Sequence, residues 1–178
     1  MAVFVALLRG VNVGGVKVEM ARLRALAEGL GWGDVRSYIA SGNVVFSAEG
    51  DPAELAKALE AAIAAEFGRA VPVLVLTAGE MRKVAQNCPF EVESGNKVHC
   101  FFCWETPRID EARYRELKRE SEALQVVGRH VWMLHPEGMA GSRLGERIGR
   151  VVEGTELTGR NLNTVRKLAG MVDAGAGA

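Results

Sequence analysis

Two sets of polar residues in this chain have the types and settings that hold an anion. The first set follows the opening apolar run: Arg9 leads into Gly10-Val11-Asn12-Val13-Gly14-Gly15, and Ser41 and Asn43 lie in Ala40-Ser41-Gly42-Asn43. The second set is Ser142 and Arg143, with Arg160 and Asn161 further on, each pair just ahead of an expected helix. Arginine offers a planar fork of donors that matches carboxylate or phosphate. Asparagine and serine add neutral donors, and backbone N–H groups at a helix start favour negative charge. Arg9, Asn12, Ser41, Asn43, Ser142, Arg143, Arg160 and Asn161 are therefore the expected ligand-binding residues, and the expected partner is a small anionic or nucleotide-like ligand. The same groups would also serve an enzyme that works by electrostatic stabilisation. A third reading is an interaction module that offers an edge strand to a partner or a second copy. The residues leave the oligomeric state open.

Sharper chemistry finds no support. Gly10 and Gly15 have the separation of a Walker-type phosphate loop, but Val16 occupies the lysine position and no Ser or Thr follows Lys17. Gly10-Val11-Asn12 lacks the second glycine of a dinucleotide fingerprint. Cys100 and Cys103 form a CxxC spacing inside an expected strand, where residues three apart face opposite ways, so they read as core thiols. His130 and His135 fail as a zinc pair on the same ground. Cys88 follows a helix C-terminus, which disfavours a thiolate. No Ser-His-Asp set and no carboxylate pair is legible, so catalytic residues are unassigned, and neither a cofactor nor a metal is expected.

Composition narrows the class. The 22 Lys and Arg residues balance the 22 Asp and Glu, so no net field draws the chain to nucleic acid or an anionic membrane. Nucleic acid is disfavoured, though not excluded. Three cysteines make no paired framework, and the apolar run Ala2 to Leu8 is too short for a membrane span and, with no basic region before it, does not read as a signal peptide. A cytoplasmic location is the expectation.

Periodicity supplies the elements that must position these groups. Ala2 to Leu8 reads as a buried strand, and Met20, Leu23, Leu26, Ala27 and Leu30 as a helix stopped by Gly31. Val35–Ile39 and Val44–Ser47 read as a hairpin. Asp51-Pro52-Ala53-Glu54 opens a second helix as a capping box, Gly68 ends it, and Val71 to Leu76 is a fourth strand with Pro72 marking an edge. That order predicts an α+β chain whose residues 1–76 form a ferredoxin-like βαββαβ sandwich. Residues 77–173 are expected to form a second, less regular α+β subdomain packed on the first, and residues 174–178 a disordered tail. In that half Thr77-Ala78-Gly79-Glu80 starts a short helix, and Val98 to Trp104 is a strand. Asp110 to Ala123 reads as a helix, Gly128-Arg129 as a hairpin turn, and 144–152 and 162–172 as the last helices.

Three stretches carry a resemblance to a known family: Leu7 through Gly15, Tyr38 through Phe46, and Gly159-Arg160-Asn161 on to Leu168. Together they resemble a bacterial family catalogued as domain-of-unknown-function family 1697, in order along nearly the whole chain. The likeness implies an α+β fold with ferredoxin-like subdomains and no particular activity. The family usually has Trp where Leu162 stands, and Asn where Cys88 stands before the Pro-Phe pair. The first departure removes an aromatic stacking surface from the C-terminal motif and leaves its Arg-Asn part intact.

Overall fold

The computed structural model describes residues 1–14 and 16–175. It is an α+β fold with antiparallel sheets. The chain divides into two compact units, one of Met1–Val84 together with the chain from Lys167 onward, the other Ala85–Arg166.

In the first unit, strand β1 (Ala2–Leu8) is followed by helix α1 (Met20–Gly29), strands β2 (Gly33–Ser37) and β3 (Asn43–Ala48), helix α2 (Pro52–Phe67), strand β4 (Val73–Thr77) and helix α3 (Ala78–Gln86), whose last two residues fall in the second unit. The sheet order is β2-β3-β1-β4, antiparallel throughout. Phe4, Ala6, Leu8, Val44 and Phe46 face Leu23, Ala27, Leu55, Leu59 and Ile63 from the two long helices in one core. The Trp32 ring stacks on Phe46 with centroids 3.9 Å apart, adding aromatic contact to that layer.

Local signals set the ends of these elements. Gly31 (φ 85°) and Gly68 (φ 68°) take the left-handed conformation that ends α1 and α2. Asp51 caps α2 by accepting from the Ala53 N–H at 2.9 Å. Thr77 and Glu80 bind each other's backbone N–H reciprocally, the capping box that starts α3 with no intervening linker. This direct junction keeps the start of α3 with the strand before it. The Arg82–Asp173 ion pair (2.9 Å) and Lys167 Nζ over the Tyr38 ring (5.8 Å) join the end of the chain to the same unit. The units therefore divide differently from the expected 1–76 and 77–173.

In the second unit come β5 (Val98–Cys103), β6 (Arg108–Ile109), α4 (Glu111–Leu117), β7 (Ala123–Val127), β8 (His130–Leu134), α5 (Arg143–Glu146), α6 (Ile148–Val151), β9 (Val152–Glu153) and β10 (Leu157–Asn161). Helix α7 (Leu162–Gly175) begins here and continues into the first unit. The main sheet runs β10-β5-β8-β7, and β6 pairs with β9. Phe101, Val131, Met133, Leu144, Ile148 and Val151 share its core.

Three expectations change. The helix expected at 144–152 is two short helices, because Arg147 (φ −115°, ψ 22°) leaves helical geometry between them. The helix expected from Asp110 to Ala123 stops at Leu117, where Lys118 turns extended. Part of the expected tail, Ala174 and Gly175, belongs to α7; residues 176–178, and Gly15 of the phosphate-loop spacing, lie outside the described residues. Among the described residues no helix is long and apolar enough to cross a membrane.

Candidate functional site

The end of β1 fixes the first set of residues. Leu8 N–H donates to Gly42 O (2.9 Å) and Arg9 N–H to Pro72 O (3.0 Å), so the strand leaves the sheet bound on both sides. Arg9 itself is exposed. The loop that follows turns by left-handed residues at Gly10, Asn12 (φ 57°) and Gly14. Asparagine tolerates that conformation better than other non-glycine residues, and its amide both donates and accepts. Asn12 Oδ1 accepts from Val18 N–H (3.0 Å), while its Nδ2 donates to Val18 O (3.0 Å) and to Ala40 O (2.5 Å) in the β2–β3 loop. Asn43, fully buried, donates from Nδ2 to Tyr38 O (3.0 Å) and Ser41 Oγ (2.8 Å), closing that second loop. Gly42 (φ 83°) is forced to be glycine twice over, since a Cβ would stand 2.7 Å from Leu8 Cβ. Arg9, Asn12, Ser41 and Asn43 thus gather at one end of one sheet. The two asparagines spend their amides on holding the loops, which the sequence reading had not separated from ligand contact.

Between these loops and the start of α1 lies a cavity of about 380 Å³, lined by Asn12, Gly14 and Ala40 on one side and Lys17, Val18, Glu19 and Met20 on the other. Glu19, at the N-cap of α1, makes no side-chain cap, and the first turn carries no acidic residue. Among the described residues no side-chain cap meets the leading N–H groups of the helix, so this end keeps its partial positive charge. Lys17 adds a full positive charge to the lining, and Glu19 is the single carboxylate. Val13 (70% exposed) and Ile39 (53%) put apolar surface beside the two tied loops. Ile39 also holds φ 48°, a strained conformation for a β-branched residue. Neither Lys17 nor the bare start of α1 was singled out from sequence. The available signal was the absence of Ser, Thr, Asp or Asn before Met20.

The second set behaves differently. Ser142 is buried; its Oγ donates to Glu122 Oε2 (2.5 Å) and accepts from Gly145 N–H (3.0 Å), capping α5. Arg143 is the exposed first residue of α5. Arg160 is not on a loop, as expected, but in β10, opposite Cys100. It is 6% exposed, and Nη1 donates to Thr158 Oγ1 and Gly159 O, each at 2.8 Å. Burial pulls its pKa down to about 10. Gly159 is a poor strand former, which masks the strand in the sequence; glycine is needed there because a Cβ would press into the Phe101 ring. Asn161 caps α7 by accepting from Thr164 N–H (2.9 Å). Neighbouring strand residues face opposite ways, so Arg160 and Asn161 do not aim at one point.

Two histidines that sequence spacing did not join meet in this unit: His99 Nδ1 lies 2.7 Å from His135 Nε2. Burial, then His135 and Arg160, bring the pKa of His99 down to about 4, and burial lowers that of His135. Cys100 and Cys103 are buried and free, with pKa values raised chiefly by burial, that of Cys103 to about 11. Among the described residues no three His, Cys, Asp or Glu side chains gather as a ligand set for a metal.

A conserved bacterial protein from Streptococcus pneumoniae, SP0830, has a similar structure, with a TM-score of 0.75 and 26% identity over 96% of this chain and 98% of that one. No curated protein matches. The model of the family described as "Protein of unknown function (DUF1697)" matches residues 1–132, and the chain belongs to that family.

Proposed function

We propose that this chain binds a small anionic, nucleotide-like ligand in the cavity between the β1–α1 loop, the β2–β3 loop and the start of α1. The observation that carries the reading is the uncapped, acid-free first turn of α1 opening beside Lys17 on a cavity of about 380 Å³. That volume lies within the range of small-molecule sites, roughly 300–1,000 Å³. The helix start and Lys17 take the phosphate or carboxylate, and Val13 and Ile39 offer apolar surface to the uncharged part of the ligand. Arg9, at the same sheet end, is the arginine of the expected set best placed to add charge. Asn12, Ser41 and Asn43 act by shaping the loops. In the second unit Ser142 and Asn161 act as helix caps and Arg160 as a buried strand residue, which leaves Arg143 as the exposed member of that set.

We further read the first unit as ferredoxin-like. The βαββαβ element order and the antiparallel order β2-β3-β1-β4, with β4 at an edge, support that reading. An enzyme working from this cavity lacks support, since Glu19 is the one acid-base side chain besides Lys17 in the lining.

Thermal unfolding with nucleoside phosphates, inorganic phosphate and dicarboxylates tests the reading. A true ligand at a hundredfold excess over Kd raises Tm by roughly 5–10 °C. Lys17→Glu abolishes the rise. A flat panel with the wild-type chain, or a rise that Lys17→Glu leaves intact, overturns it.

A further inference from the structure

The second unit holds a different concave site that the reading above does not use. Helices α4, α5 and α6 pack on one another through Leu117, Leu144, Ile148 and Val151, all buried. Arg113 and Glu116 lie three positions apart on α4 and so are neighbours on its face, while Arg147 stands at the N-cap of α6 and Arg150 within it. Together with Leu117 they line a hollow of about 250 Å³.

Three guanidinium groups around so small a hollow repel one another. Arg113 is partly neutralised, with Nε 3.4 Å from Asp110 Oδ2. Arg147 and Arg150 carry no side-chain ion pair among the described residues. Glu116 is the one carboxylate in the lining. The buried apolar anchors fix the backbone that carries these exposed arginines, which brings the three charges to one hollow.

We propose that this hollow is a binding site for a phosphoryl group. A tetrahedral oxyanion with three outer oxygens can take a fork of donors from each of three arginines, where a planar carboxylate has oxygens for two. The volume lies below the drug-sized range and suits the phosphoryl group with little of what it is attached to.

The test uses the full chain and two probes, inorganic phosphate and glycerol phosphate, with the arginine Nε–H resonances followed by NMR. The expected result is saturable movement of the Arg113, Arg147 and Arg150 signals. The double variant Arg147→Gln/Arg150→Gln, altered only at exposed positions, weakens binding at least about tenfold. Lys17→Glu leaves this binding unchanged, which separates it from the first-unit cavity. Tighter binding of the ester assigns the site to a phosphorylated molecule, and tighter binding of inorganic phosphate assigns it to the free ion; either supports the proposal. No saturable movement with either probe, or equal binding by the double variant, overturns it.

Discussion

The side-chain amide of Asn12 donates to the carbonyl of Ala40 at 2.5 Å, across 28 positions of chain. This bond makes one structure of two loops that leave the same end of the sheet. The cavity beside them depends on it, because Asn12 and Ala40 are both part of its wall.

Asn12→Ala removes three hydrogen bonds and puts a less tolerant residue at φ 57°. The expected loss is about 2 kcal/mol of unfolding free energy by urea titration. Asn12→Gly loses the same bonds and accepts the backbone angle, so it should be the milder change. A glycine variant less stable than the alanine one would contradict the part given to the backbone.

How much of this was legible differs between the loops and the site. Gly31, Gly68 and the Thr77–Glu80 box act on their own helix ends, and the sequence carries each signal within a few residues. The bond from Asn12 to Ala40 joins segments far apart in sequence, so Asn12 showed as a polar loop residue and its structural duty did not. Strand β10 was hidden because Gly159 and Asn161 are poor strand formers that pair only once β5 is beside them. The His99–His135 contact likewise needs the β5–β8 register, which puts Val98 opposite Leu134 just before His135.

The histidine pair predicts an acid-sensitive fold. Above about pH 6.5 His99 is neutral in both folded and unfolded chains, and its contribution is constant. Below that the unfolded chain takes up a proton that the folded chain, with His99 at about 4, refuses. Stability therefore falls as pH drops from about 6.5 toward 4, by roughly 3 kcal/mol for His99 in full, and His135 acts in the same direction. The groups bearing on the pair are Arg160, Lys97 and Glu122. Denaturant midpoints across this window should slope, and His99→Gln should flatten the slope. A wild-type midpoint constant from pH 7 to 4.5 would rule the account out.

The thiols make a separate prediction. Cys100 and Cys103 are buried in β5, while Cys88 is half-buried on a loop with Sγ 3.4 Å from Phe90 O. A disulfide reagent should label about one thiol in the native chain and all of them in denaturant. Rapid native labelling of Cys100 would mean that the sheet opens more readily than its packing implies.

We propose an anion at the bare start of α1, and backbone amide NMR during titration with a nucleoside diphosphate reads that position residue by residue. Saturable shifts are expected at Asn12, Lys17 to Arg22 and Ile39 to Ser41, with the amides of Met20 and Ala21 among the largest. Saturable shifts that leave Lys17 to Arg22 unmoved, or no saturable shift with any nucleotide or phosphate, would contradict it.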